Sequence, residues 1–326
     1  MRNDARLRHR RPSENVVMSQ GRQCIGMDIY TYMSGICRPH RRCNCQIHPQ
    51  KPQAQEIFKE KNVTQMKKII IAVAILMASW CSCAAFEHPW EGKRVAFLGD
   101  SITDPGTLKD ATIYWGFLEE WLGITPLVYG RGGHQWSNIP GQMERLQNDH
   151  GDNFDAIMVF IGTNDFNAGI PIGEWFSEEK AVVNVDGVMV KRTRRVTSFD
   201  PSTYRGRINI ALDGLKKAYP TKQIVLLTPI HRGPASFGDD NVQPTEDFQN
   251  ACGEYLDAYI DSIKEASAIW SVPVIDTYSL SGLYPAHKEQ EIYVPGGTDW
   301  LHPNEKGHHR LAKCLYNQLL TLPCVL

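Results

Sequence analysis

Five short apolar runs alternate with longer amphipathic segments downstream of residue 90 in this 326-residue chain. Continuous apolar runs are typical of strands buried on both faces of a sheet. Their alternation with helix-like segments predicts a parallel sheet covered by helices on both sides, in the flavodoxin-like α/β order 2-1-3-4-5. The predicted strands are Val95–Leu98, Leu127–Tyr129, Ala156–Ile161, Ile224–Leu227 and Val272–Ile275. The predicted helices are Tyr114–Leu122, Ile139–Asn148, Thr203–Ala218, Thr245–Ala266 and Asn304–Leu320.

An insertion between residues 168 and 201 interrupts this alternation. Within it, Val182–Val190 is largely apolar and is centred on Asp186-Gly187, a dipeptide that favours a two-residue turn, so we expect a β-hairpin. The basic run Lys191–Arg195 follows directly. We interpret this run as a solvated strand edge. The alternative is a lid over a ligand site, where its charge would attract an anionic substrate.

Residues 66–85 have the layout of a secretory signal peptide. Met66-Lys67-Lys68 is positively charged, Ile69–Met77 is apolar, and small residues follow as far as Ala85. The apolar segment is short for a transmembrane helix. We therefore expect export, with residues 1–65 outside the mature protein. Those residues contain twelve Lys and Arg against five Asp and Glu and have no apolar periodicity, so they could not form a core.

Residues 86–326 are then expected to form one domain that is secreted or periplasmic. A lipoprotein anchor at Cys83 is less favoured, because Trp80 and Cys81 fit such a site poorly. An exported chain could pair two of its remaining cysteines, and the sequence leaves the pairing open; they are Cys252, Cys314 and Cys324. The formal net charge of −1 gives no support to nucleic-acid binding.

Polar or glycine-rich segments follow the first three predicted strands. They are Gly99-Asp100-Ser101, Gly130–His134 and Gly162–Asp165. In an open parallel sheet these strand ends lie at one edge, where ligands bind. Ser101 supplies a hydroxyl there, the glycines let backbone N–H groups approach a ligand, and the Asn164 amide is an uncharged donor suited to an oxyanion. Each segment alone is also compatible with an ordinary turn or helix cap.

The loop before the last predicted helix carries Asp299 and His302. At this spacing the carboxylate can reach one imidazole nitrogen and fix the tautomer, while the other nitrogen faces a serine. Pro303 and Asn304 then restart the chain as a helix. Alone, this loop is also compatible with a helix cap that carries an exposed histidine.

These four segments, in this order, resemble the SGNH hydrolase superfamily, also called the GDSL-type esterases and lipases. The resemblance covers the chain from about Val95 to Leu320 and implies a three-layer α/β/α fold with no cofactor. No metal is expected, because outside Asp299 and His302 no histidine and carboxylate pair shows ligand spacing. By the family's pattern, Ser101 is the nucleophile, His302 is the general base and Asp299 is its orienting partner.

The resemblance also implies an oxyanion hole made by the N–H groups of Ser101 and Gly133 and the side chain of Asn164. The second segment departs from the family's pattern, because Tyr129 stands where an Asn is common and His134 where an Asp is common. Gly132 is therefore an alternative donor to Gly133.

The activity implied by the resemblance is hydrolysis of carboxylic esters through an acyl-enzyme. Aromatic residues in the loops fit an exported enzyme that removes acetyl or other small acyl groups from carbohydrates, although for each tryptophan taken singly packing in the core is the favoured interpretation. The candidate substrate-binding residues are Trp136, Trp175, His231, Arg232 and Trp300. The expected partner is a small-molecule or glycan ester, with no stable membrane insertion of the mature chain. An O-acyltransferase and a non-catalytic glycan-binding protein remain alternatives, and the oligomeric state is not predicted.

Overall fold

The computed structural model describes residues 63–73 and 87–322. Residues 63–73 form a helix, α1, in a unit (Met1–Cys83) separate from the unit Ala84–Leu326. The predicted signal peptide therefore lies only partly within the described residues, and Cys324 lies outside them. In neither described range is a helix long and apolar enough to cross a membrane.

A five-stranded parallel sheet forms the centre of the larger unit. In chain order the strands are β1 (Arg94–Gly99), β2 (Thr125–Val128), β3 (Ala156–Phe160), β4 (Phe176–Val185), β5 (Val188–Thr197), β6 (Gln223–Leu227), β7 (Ala235–Ser236), β8 (Val242–Gln243) and β9 (Val274–Ile275). The sheet order is β2-β1-β3-β6-β9. Counted over the five sheet strands this is 2-1-3-4-5, so the predicted order is confirmed.

Helices cover both faces of the sheet and complete the predicted three layers. The helices are α2 (Tyr114–Leu122), α3 (Ile139–His150), α4 (Thr163–Asn167), α5 (Tyr204–Ala218), α6 (Leu256–Trp270), α7 (Thr277–Leu280) and α8 (Glu305–Leu319). Helices α3, α5 and α6 pack on one face, and α2 and α8 pack on the other. Thr203 and Asn304 are N-caps, because their side-chain oxygens accept hydrogen bonds from the backbone N–H groups of Gly206 and Gly307.

The continuous apolar runs arise because successive strand side chains point to opposite faces and both faces are covered. In β1, Ala96 and Leu98 enter the core under α3, α5 and α6. Val95 and Phe97 enter the core under α2 and α8. All four side chains are fully buried. A polar residue at any of these four positions would therefore need a hydrogen-bond partner.

The predicted helix over Thr245–Ala266 is wrong in its first half, because α6 begins only at Leu256. Residues 245–255 form turns instead. The side chain of Asn250 accepts hydrogen bonds from the N–H groups of Cys252 and Glu254, which competes with helical bonding. Gly253 has a φ of 84°, outside the helical region.

The insertion is a β-hairpin, as predicted, and its strands β4 and β5 are each ten residues long. Its base lies against α5 and α6, where Asn209 Nδ2 donates to the carbonyls of Trp175 and Ser198. The basic run Lys191–Arg195 lies on β5 and is exposed. An ion pair between Arg194 and Glu179 joins the two strands. These contacts favour the solvated strand edge over the lid.

Replacing Gly99 by alanine is expected to lower the free energy of unfolding by about 1–3 kcal/mol, since overpacking displaces its neighbours. An added Cβ would lie 2.5 Å from both the Phe160 carbonyl oxygen and Thr103 Oγ1. Gly141→Ala in α3 is the matched control: its Cβ would meet nothing within 4 Å, and it should stabilise the protein by about 0.5–1 kcal/mol. Chemical denaturation measures both. Equal effects would contradict the close approach at Gly99.

Candidate active site

Ser101 lies just beyond the carboxyl end of β1, in a tight turn. The N–H groups of Thr103 and Asp104 both donate to the carbonyl of Asp100, which turns the chain away from the sheet. The side chain of Gln142, on α3, holds the end of β1. Its Oε1 accepts from the N–H of Gly99 at 2.8 Å, and its Nε2 donates to the Gly99 carbonyl at 2.7 Å. Sequence reasoning missed Gln142, since a glutamine within a helix carries no local signal of this contact.

The side chains of Ser101, His302 and Asp299 form one hydrogen-bonded chain. Ser101 Oγ lies 2.8 Å from His302 Nε2, and His302 Nδ1 lies 2.9 Å from Asp299 Oδ2. These distances suit transfer of the serine proton to the imidazole while the carboxylate holds the other nitrogen protonated. The structure thus brings together the three residues that the sequence singled out across two hundred positions.

The loop around Asp299 holds the carboxylate in place. Its Oδ1 accepts from the backbone N–H groups of Leu301 and His302, both at 3.0 Å. Burial alone would raise the pKa of Asp299, but the hydrogen bonds and charge of His302 and these backbone donors outweigh it and hold the pKa below its usual value. Asp299 therefore stays ionised beside the imidazole.

The glycine loop after β2 lies beside Ser101 and offers a free backbone donor. A Cβ built on Gly132 would lie 4.0 Å from Ser101 Cβ. The N–H of Gly132 is already bonded to Asp104 Oδ2 at 2.8 Å. Within residues 87–322 no hydrogen bond uses the N–H of Gly133 or of Ser101. This difference favours Gly133 over Gly132 as an oxyanion donor.

Asn164 lies just beyond the end of β3, and one hydrogen of its side-chain amide is free to donate a hydrogen bond. Its Nδ2 donates to the His134 carbonyl at 3.0 Å, which fixes the amide and leaves its second hydrogen available. Two further contacts tie the loops after β2 and β3 together: Gln135 Nε2 donates to the Asn164 carbonyl, and the Trp136 N–H donates to Asp165 Oδ2. The candidate oxyanion donors Gly133 and Asn164 therefore lie on two loops that hydrogen bonds hold together.

Asp165 is fully buried and also accepts a hydrogen bond from Arg207 at 3.0 Å. Burial raises its pKa to about 6, although the bonds from Trp136 and Arg207 oppose the rise. This carboxyl group links α4, α5 and the loop after β2, so its role in the described structure is to position the other groups.

Arg232 is almost completely buried, with 1% of its surface exposed. Its Nη1 donates to Thr163 Oγ1 at 3.2 Å and its Nη2 donates to Gln243 Oε1 at 2.6 Å. Burial lowers its pKa to about 10, and the nearby Glu246 opposes that change. The prediction that Arg232 binds substrate is therefore wrong: it braces the residue next to Asn164.

Burial likewise contradicts the predicted substrate contact of Trp136, whereas the predictions for Trp175 and His231 stay predictions, although each of these side chains has a structural partner. Trp136 is buried and its Nε1 donates to the hydroxyl of Tyr204. Trp175 lies at the base of the hairpin, bonded to Glu265. The His231 ring lies 3.6 Å from the ring of Tyr278, and its Nδ1 lies 2.5 Å from Glu246 Oε1. Packing therefore decides the positions of these aromatic residues.

Two aromatic residues do lie beside the hydrogen-bonded chain. Trp300 is partly exposed between Asp299 and His302, and its Nε1 donates to the Gly297 carbonyl. The Phe237 ring centroid lies 5.4 Å from that of His302, and the side chain is 45% exposed. Phe237 was missed from the sequence, since it becomes a neighbour of His302 only through the pairing of Ala235 with Asp299.

The chain matches a family of known proteins over most of this domain. The model of the GDSL-like lipase/acylhydrolase family matches residues 97–310. The chain therefore belongs to this family, within the SGNH hydrolase superfamily. It is a hydrolase of ester bonds. No curated protein matches it significantly.

Several solved structures are similar to this one. A protein from Lactobacillus plantarum is 25% identical, with a TM-score of 0.55, over 70% of this chain and 97% of its own. A protein from Chitinophaga pinensis described as a possible lipase is 21% identical, with a TM-score of 0.52, over 69% and 97%. An acetylxylan esterase from Geobacillus stearothermophilus is 16% identical, with a TM-score of 0.43, over 70% and 94%.

Asp100, next to the serine, is the basis of a prediction about pH. It is fully buried, and burial raises its pKa from 3.8 to about 7, although the N–H of Ile102 and the charge of His302 oppose the rise. The folded protein thus retains a proton that the unfolded chain releases above about pH 4. Its contribution to stability is complete below that pH and is lost as the pH rises through about 7.

Asp100→Asn removes this titration while keeping the side-chain oxygen that Ile102 bonds. The free energy of unfolding of the variant should therefore fall less between about pH 4 and pH 7 than that of the unmodified protein, with a difference of the order of a few kcal/mol. Urea denaturation at a series of pH values measures this. Parallel curves for the two proteins would show that Asp100 does not bind a proton on folding.

Proposed function

We propose that the protein is a serine esterase that hydrolyses carboxylic esters through an acyl-enzyme. The observation that carries the proposal is the short contact of Ser101 Oγ with His302 Nε2, 2.8 Å, continued to Asp299. Three donors that can meet a developing oxyanion accompany it, namely the N–H groups of Ser101 and Gly133 and the side chain of Asn164.

In the first half-reaction, His302 Nε2 takes the proton of Ser101 as Oγ attacks the ester carbonyl. The carbonyl oxygen becomes an oxyanion that accepts hydrogen bonds from the three donors. Asp299 stabilises the imidazolium, which then gives its proton to the departing alcohol. In the second half-reaction a water gives a proton to His302 and attacks the acyl-enzyme, and the acid leaves as Ser101 regains its hydrogen.

Ser101→Ala is expected to abolish turnover of nitrophenyl acetate, because no other residue replaces the nucleophile. Asn164→Ala should lower kcat by about 10²–10³, since one oxyanion donor is lost. Steady-state kinetics measures both, with circular dichroism as the control for folding. A Trp136→Phe variant would not test the catalytic assignment, because Trp136 is buried in the core. Full activity in Ser101→Ala would disprove the assignment.

We further propose that the substrate is a small acyl ester, such as an acetyl group, on a carbohydrate. Phe237 is exposed beside His302, Trp300 is partly exposed in the loop between Asp299 and His302, and aromatic rings commonly line ligand sites. Next to Ser101 the neighbouring groups are polar, namely the backbone of Gly132 and the carboxylate bonded to it from Asp104. These polar groups favour a small acyl group over a long apolar chain on that side.

A substrate panel tests this second proposal independently of the first. Acetylated oligosaccharides should be deacetylated with a higher kcat/KM than nitrophenyl acetate, and long-chain nitrophenyl esters should be poor substrates. Phe237→Ala and Trp300→Ala should raise KM for the oligosaccharide more than for nitrophenyl acetate. A preference for long-chain esters would refute the carbohydrate proposal, and product that forms only when a glycan acceptor is added would identify an acyltransferase.

Export is proposed on the layout of residues 66–85. The positive segment at Met66–Lys68, the apolar segment after it and the small residues up to Ala85 support cleavage just before the domain. Expression from Met66 in a secreting host should deliver a protein whose N-terminus lies near residue 86. N-terminal sequencing of the exported protein measures this. A mature chain that begins before Met66 would contradict the proposal.

A further inference from the structure

The outer half of the β4–β5 hairpin carries one continuous apolar face. In the strand register Val183 lies opposite Val190, and Val185 lies opposite Val188. Directly opposed residues of an antiparallel pair project to the same side. These four valines, with Ala181 on the same side, are called here the valine face.

Three of the four valines are open to solvent, and Val190 and Ala181 are half-buried. Val183 is 45% exposed, Val185 is 42% exposed and Val188 is 62% exposed. The other side of the hairpin is mixed, since its register pairs Val182 with Lys191 and Asn184 with Met189. The valine face therefore carries two adjacent pairs that are wholly apolar before it reaches Arg192, opposite Ala181, whereas each pair on the other side includes a polar residue.

A hairpin of this length is more stable when another layer packs on such an apolar face. Two strands alone are marginally stable in water, and a third layer that packs on the apolar side supplies the missing stability. Within residues 87–322, hydrogen bonds hold the base of this hairpin, where Asn209 on α5 donates to the carbonyls of Trp175 and Ser198. Along the outer half, residues 182–189 are all exposed.

The charges around the valine face suit a second copy of the same face. The tip carries one acidic residue, Asp186. Towards the base the same side carries Arg192, while the charge of Arg194 is already paired with that of Glu179 opposite it. A two-fold axis that lies between the two faces, perpendicular to the strands, packs two hairpins face to face and in opposite directions. That arrangement places the acidic tip of one copy next to Arg192 of the other, while the uncharged valines meet each other without repulsion.

We propose that the valine face is a homodimer interface, packed against the valine face of a second copy of this chain. The two hairpins run antiparallel around the two-fold axis. The hairpin base lies on α5 and α6, away from the contacts of Ser101, so each protomer keeps a complete set of catalytic candidates and the dimer is independent of the proposed esterase function.

Val183→Lys and Val182→Lys form a matched pair for the test. The two valines are neighbours on β4 and both are exposed, at 45% and 60%, but they lie on opposite sides of the hairpin. Sedimentation velocity at micromolar concentrations should show a dimer for the unmodified protein and for Val182→Lys. It should show a monomer for Val183→Lys, with dimerisation weakened at least tenfold and turnover of nitrophenyl acetate unchanged.

Exchanging the charges of Asp186 and Arg192 gives a second test, which stays informative if Val183→Lys disturbs the fold of the hairpin. Asp186→Arg alone should weaken the dimer, and adding Arg192→Asp should restore it, because the two charges meet across the axis. A monomeric unmodified protein would overturn the proposal. So would a dimer that survives Val183→Lys, a dimer lost equally in Val182→Lys, or a double variant no tighter than Asp186→Arg.

Discussion

The fit of Thr103 between two glycines is the contact on which the active site depends. A Cβ on Gly99 or on Gly130 would lie 2.5 Å from an atom of the Thr103 side chain, so the turn after β1 can reach the end of β2 only because both positions lack a side chain. Thr103 is fully buried, and its hydroxyl shares a hydrogen bond with Tyr114. Ser101 and the Gly133 loop therefore become neighbours through backbone packing.

Buried polar side chains then fix the remaining loops relative to that contact. Asp165 joins the loop after β2 to α4 and α5, and Arg232 joins Thr163 to the segment that carries Gln243. Each of these groups loses hydration on folding and gains protein hydrogen bonds in return, except at Arg232 Nε, which has no partner within the described residues. The donors around Ser101 therefore stand in place before substrate arrives, which is what stabilisation of a developing oxyanion requires.

The sheet and the hydrogen-bonded serine chain could be predicted from the sequence because their signals are local. Apolar runs identify the strands, and residue types just after the strand ends identify Ser101, Asn164 and His302. Trp136 and Arg232 were misassigned because burial depends on which helices cover them, and that is a property of the whole fold. For the same reason Gln142 and Phe237 were missed, and the turns around Asn250 were taken for a helix.

The open strand edges of the hairpin also affect the tendency of the protein to aggregate. Both outer edges of β4 and β5 are open, and an open edge next to an apolar face is a template for uncontrolled strand addition. Lys180, Lys191 and Arg192 lie along these edges and are exposed, and such charges oppose the addition of a further strand. The arginine-rich stretch that first suggested affinity for an anionic ligand thus serves as protection against aggregation.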